Sequence, residues 1–180
     1  MGSERLIRPS LPFAAVNRRD GIGYQPGLQR HHLLPRQLLR RGCFARMIGR
    51  LGIGTIGFDD FRRNGLLLPC DERAALRTAL PLHRGPHRRY NELVFERVGR
   101  IEARWSRRPG AETDREALER LALLQRALRR RLLSDRRPAV SLSRRDPAWR
   151  AVDFGLLDSL AEQLWPATAS AMLLPMALAA

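Results

Sequence analysis

The sequence predicts an α+β protein: a small β element leading into helices, with a helical C-terminal extension. Three observations carry this. Asn64-Gly65 introduces the apolar run Leu66-Leu67-Leu68, stopped by Pro69, which is a strand pattern with a hairpin turn in front of it. Tyr90, Leu93, Val94, Val98, Ile101 and Trp105 recur at three- and four-residue intervals and form one apolar helical stripe. Leu118, Leu121, Leu124, Leu128 and Leu132 line one side of a second, arginine-rich amphipathic helix over 112–133. A chain of 180 residues suits one ordinary domain plus an appendage and can bury a real core.

Taken in order, residues 1–23 form an irregular N-terminal segment, and the loop Gly21 to Gly27 leads into His31-His32. The strand partner of Leu66-Leu68 is expected around Leu33-Leu34. Pro35 to Arg50 suggests short helices divided near Gly42, after which Gly49, Gly52, Gly54 and Gly57 open a second loop. Asp71 can cap a short helix running to Leu80. Pro86 suits the first position of the next helix, which places His87 in its first turn. Arg107 to Gly110 breaks the pattern, and residues 147–165 suggest a further helix. The organisation expected is therefore 1–23, a chemistry-bearing unit over 24–105, and a helical extension over 106–180. Residues 166–180 are apolar, but they fall short of the roughly 20 residues a membrane span needs and are interrupted by Pro175, so no span is expected.

With 33 basic residues against 18 acidic ones the formal charge is +15, and every basic residue is arginine. Such a chain should bind polyanions, because the guanidinium fork grips two phosphate oxygens and a basic surface attracts nucleic acid before specific contacts form. An acidic protein would be attracted as well. A GC-rich coding sequence would also favour arginine over lysine, so the net charge carries this argument. Cys43 and Cys70 lack any CxxC pairing, which excludes a disulfide-dense scaffold and a cysteine zinc finger and suits a reducing compartment. No Sec signal is read at the start. The expected location is the cytoplasm, or a target cell reached without that signal.

All four histidines fall into two groups, His31-His32 and His83 with His87. Taken singly, an adjacent pair is usually a surface accident, and HxxxH at a helix start is usually a solvated, capped pair. Together they suggest a metal site. Histidines four apart can face one ion from a first helical turn and the loop before it. Neighbours on a strand point to opposite sides, so one of His31 and His32 should stay free. Three ligands and a free imidazole are what hydrolysis requires, since the ion keeps an open position and the base activates water. A non-catalytic nucleic-acid-binding module with a structural zinc is the alternative.

The blocks Arg30-His31-His32-Leu33-Leu34-Pro35, Asn64-Gly65-Leu66-Leu67-Leu68-Pro69 and Leu82-His83-Arg84-Gly85-Pro86-His87-Arg88-Arg89-Tyr90-Asn91, in this order, resemble the AHH family of the HNH/endonuclease VII, or His-Me finger, superfamily. The resemblance covers roughly 24–105 and implies a ββα-metal core and a metal-dependent endonuclease, with DNA ahead of RNA as substrate. It implies one divalent ion held by His31, His83 and His87, with His32 as general base, the roles within His31-His32 being interchangeable. Magnesium, manganese, zinc and nickel are all open as its identity. Asn64 matches the asparagine that orients the base histidine, and Asn91 would support a ligand. Arg30 stands where the family has alanine; it, Arg84, Arg88 and Arg89 are candidates for holding phosphate, whereas Tyr90 fits the core. The family also occurs in bacterial toxin modules, which makes an acidic immunity protein a candidate partner.

Overall fold

The computed structural model describes residues 9–85, 87–134 and 142. Two strands, β1 (Leu28–His32) and β2 (Gly65–Pro69), pair antiparallel in a register running from Leu28 opposite Pro69 to His32 opposite Gly65. Leu33 N–H then donates to Asn64 C=O at 2.8 Å, which closes the ladder. The partner strand thus lies just before Leu33-Leu34, not on it. Those two leucines turn inward and are fully buried. Asn64-Gly65 is not a hairpin turn either. Asn64 ends a short helix, α3 (Phe61–Asn64), whose cap is the Asp60 carboxylate accepting from Arg62 N–H at 3.0 Å.

A 310 turn over Arg36–Arg40 and helix α1 (Gly42–Leu51) follow the first strand, dividing one residue before Gly42. Gly49 does not open a loop, because α1 runs through it. Phe44, Met47, Ile48 and Leu51 bury one face of that helix, and the burial outweighs the glycine's poor helix propensity. Gly52 and Gly57 do terminate helices, α1 and the single turn α2 (Ile53–Ile56), and both take the positive φ open to glycine. Helix α4 (Glu72–Thr78) is capped by the Asp71 carboxylate, which accepts from Ala74 N–H at 2.8 Å; it stops before Leu80 because Ala79 turns left-handed. The next helix, α5 (Arg88–Trp105), begins two residues after Pro86, so His87 is its N-cap and not part of its first turn.

A two-stranded ribbon is marginal in isolation, and here helices complete its core. Leu33, Leu34 and Leu68 from the β element join Met47 and Phe44 of α1 and Tyr90, Val94, Val98 and Trp105 of α5 in one cluster. Helix α6 (Ala111–Leu133) adds Ala117, Leu121, Leu128 and Leu132 to the same cluster. It packs on α5 and touches α1, α2 and α3. Trp105 Nε1–H donates to Asp114 at 2.7 Å and the Arg50 guanidinium to the same carboxylate at 2.8 Å, pinning the α5–α6 connection to α1. Arg129 of α6 donates to the carbonyls of Arg62 at 2.7 Å and Gly65 at 2.9 Å, reaching the first residue of β2. The architecture is α+β, a small antiparallel pair surrounded by helices, as the sequence predicts. The helix expected over 147–165 and the apolar run 166–180 lie outside the described residues. Among the described residues no helix is long and apolar enough to cross a membrane.

Candidate functional site

Strand alternation separates the adjacent histidines. His31 points inward and is 4% exposed, while His32 lies on the opposite face, half-buried. His83 is drawn beside the end of β2, where its N–H donates to Pro69 C=O at 2.7 Å. Gln29 of β1 places its side-chain amide against both the His83 carbonyl and His83 Nδ1. His87, at the mouth of α5, donates from Nδ1 to Leu142 C=O at 2.8 Å, which selects the tautomer that leaves Nε2 with a free lone pair.

One donor atom each from His31, His83 and His87 lies within 4.8 Å of the other two. The closest approach is His31 Nδ1 to His83 Nε2, 2.8 Å, and the His83 and His87 rings are 4.2 Å apart centre to centre. Tyr90 seats its ring edge-on to His31 at 5.0 Å and donates its hydroxyl to Leu33 C=O at 2.7 Å, so it belongs to the core and also backs the site. Burial holds the His31 imidazole down to about 2, with His83, His87 and His32 adding to the effect. Burial, then His87, lowers His83 to about 4. Neutral imidazole is the form that binds metal.

The residues present fit a divalent cation. A tetrahedral ion with bonds of ~2.1 Å holds its ligand atoms ~3.4 Å apart, a separation bracketed by the 2.8 Å contact and the 4.8 Å limit. In the metal-free pair one imidazole donates a proton to the other, and a cation held by these residues would take over the lone pairs that the shared proton satisfies. His31 Nε2, the ring nitrogen not engaged with His83, is buried without a hydrogen-bond partner among the described residues. The triad offers three ligands, the number that leaves a coordination position open.

His32 is held differently. Its ring stacks flat on Phe13, with centroids 3.7 Å apart and planes within 2°. Burial first, then the positive Arg36 and Arg30 against the opposing Asp59, brings its imidazole down to about 4. Asn64 is fully buried and ties the chain around the histidine pair. Its amide oxygen accepts from Leu34 N–H at 2.7 Å, and its nitrogen donates to Phe58 C=O at 3.1 Å and Leu34 C=O at 3.2 Å. Gln125 of α6 approaches the same oxygen at 3.4 Å.

Arg30, Arg84, Arg88 and Arg89 are all exposed around the triad, and Arg30 donates to Phe13 C=O at 2.7 Å. Asn91 sits one turn into α5; its backbone N–H donates to His87 C=O at 2.8 Å, while its side-chain amide donates to Gln37 at 3.1 Å and not to an imidazole. Sequence reasoning missed Gln29, Phe13 and Gln125. Gln29 alone carried a signal, since it stands two residues before His31 and shares its strand face. Phe13 is 19 positions from His32, and Gln125 is 61 from Asn64; nothing local marks either.

Neither the comparison with curated proteins nor that with solved structures returns a match. A family model does match, over residues 13–128, a span that begins at Phe13 and takes in most of α6. It is described as AHH, a nuclease family of the HNH/ENDO VII superfamily with conserved AHH, and it covers well over half of the chain. With its paired histidines on a strand, its buried asparagine and its converging imidazoles, the chain belongs to the AHH nuclease family.

Proposed function

We propose that the protein is a metal-dependent endonuclease that hydrolyses phosphodiester bonds, with DNA as substrate, His31, His83 and His87 as ligands of one divalent ion and His32 as general base. The observation that carries this reading is the division of labour on β1: His31 turns into a three-imidazole cluster with donors within 4.8 Å, while His32 stays outside it. When bound, the ion supplies positive charge to the phosphate oxygens and the leaving oxygen. His32, neutral near pH 7, accepts a proton from the attacking water. Asn64 holds the backbone on which His32 is mounted, and Arg30, Arg84, Arg88 and Arg89 bind phosphates flanking the scissile one. With a net charge of +15 and no dedicated base-reading element, affinity rests on phosphate contacts, so sequence preference is weak and salt sensitivity high.

The alternative, a binding module built on structural zinc, would use a closed set of four ligands. The cluster among the described residues has three. A toxin role restrained by an acidic immunity protein draws support from the charge, and a small acidic reading frame encoded beside this one would strengthen it.

The test is cleavage of supercoiled plasmid with magnesium, manganese, nickel or zinc against EDTA, for the parent, His32→Ala and His87→Ala. Metal-dependent nicking is expected, lost in both variants, with His32→Ala still binding metal. Folded protein that binds DNA yet cleaves with none of these metals would overturn this reading in favour of the structural-zinc module.

A further inference from the structure

We propose that Phe13 is a positioning residue for His32, fixing the plane of the imidazole by face-to-face stacking; this rests on the reading of His32 as general base. An imidazole gives and takes protons at its edge, because its lone pair and N–H lie in the ring plane. A ring laid on its face therefore locks orientation without occupying the atoms that react. The two rings lie 3.7 Å apart and within 2° of parallel. His32 Nε2, meanwhile, is buried and meets no hydrogen-bond partner among the described residues. A histidine base is ordinarily aimed by a hydrogen bond to its second nitrogen, and here the stack supplies the aim.

Phe13 is itself firmly held. Leu11 C=O accepts from Phe61 N–H at 2.7 Å, Leu11 N–H donates to Asp60 at 3.1 Å, and Pro12 bridges Asp60. Arg62 donates to Pro9 C=O at 2.7 Å and Arg30 to Phe13 C=O at 2.7 Å. Phe61 abuts the Phe13 ring edge-on at 5.1 Å, in space kept open by Gly65. Four hydrogen bonds to the backbone of this segment and an aromatic buttress make this a built support. It also gives Arg30 a second role beside phosphate binding, since the arginine anchors the residue that covers the neighbouring base.

The experiment measures kcat and KM for plasmid cleavage by Phe13→Ala, Phe13→Leu and Phe13→Tyr, each in the parent and the His32→Ala background. Carbethoxylation of His32 is followed by mass spectrometry, and thermal melts check folding. Phe13→Ala and Phe13→Leu should lose kcat by about 10- to 100-fold, the scale of a mispositioned group, with KM little changed and His32 modified faster. Phe13→Tyr, which keeps a flat ring, should retain both parental values. His32→Ala should reduce cleavage to a residual level, and adding Phe13→Ala should not lower that level further. If Phe13→Ala fails to fold, Phe13→Leu, close in volume but without a flat face, decides. Full activity in the leucine variant overturns the proposal; raised activity overturns it too and makes Phe13 a lid. Cleavage at the parental rate in His32→Ala would instead refute the base assignment, and the proposal would fall with it.

Discussion

Replacing Asn64 by alanine should remove a large share of the protein's stability. The side chain is fully buried, and its loss strands the Leu34 N–H at 2.7 Å and the carbonyls of Phe58 and Leu34 at 3.1 and 3.2 Å. A buried group left without a partner costs ~1–3 kcal/mol, and carbonyls tolerate it better than donors, so the three together come to ~3–5 kcal/mol. Domains of this kind have ~5–15 kcal/mol in total. With a urea slope of about 1–3 kcal/mol/M, the midpoint should fall by about 2 M. Asn64→Asp is the informative control. It still accepts from Leu34 N–H but turns a carboxylate oxygen toward two carbonyls and buries a charge, so it should be no more stable than Asn64→Ala. Urea titrations followed by far-ultraviolet circular dichroism, in EDTA to remove metal linkage, give both values. At 10 °C, with the folded fraction checked, cleavage by Asn64→Ala should fall by about 10- to 100-fold as the turn after His32 loosens. A destabilisation below about 1 kcal/mol, or an aspartate variant as stable as the parent, would refute the idea that this amide network holds the loop.

The metal-free protein should lose stability as pH falls from about 6.5 toward 4. His31 and His83 titrate near 6.5 when unfolded but at about 2 and about 4 in the fold. The unfolded chain therefore binds more protons in that window, and the stability is fully present only above it; melts in EDTA from pH 7.5 to 4.5 that stay flat would count against the burial described. Gly65→Ala should cost ~1–3 kcal/mol by overpacking, because an added Cβ would meet Phe61 Cδ2 at 2.1 Å and Cγ at 2.5 Å. A thermal melt decides that case, and an alanine variant as stable as the parent would mean Phe61 can move freely. Gln29→Ala should weaken metal binding by about 10- to 100-fold, the usual effect of removing a group that orients a ligand histidine, with little change in the melt. Calorimetric titration with zinc measures it, and unchanged affinity would show that His83 needs no such support.

The sequence by itself determined, to within two residues at their starts, the helices ending at Trp105 and Leu133, together with the Asp71 cap, the strand of leucines before Pro69, and which residue types gather for chemistry. These are local signals: apolar side chains at helical spacing, a capping carboxylate, and alternation along a strand that forces His31 and His32 apart. What the sequence left undecided depends on partners distant along the chain. Asn64-Gly65 reads as a hairpin, yet the residue that Asn64 anchors, Leu34, is 30 positions away. Leu33 and Leu34 lie just past the end of β1 and are fully buried in the common core, where Tyr90 donates its hydroxyl to Leu33 C=O. Only the tertiary structure brings His31 against His83, across 52 positions, and lays Phe13 on His32. A convergence of side chains is a property of packing, and neither the spacing nor the composition of a chain records which faces will meet.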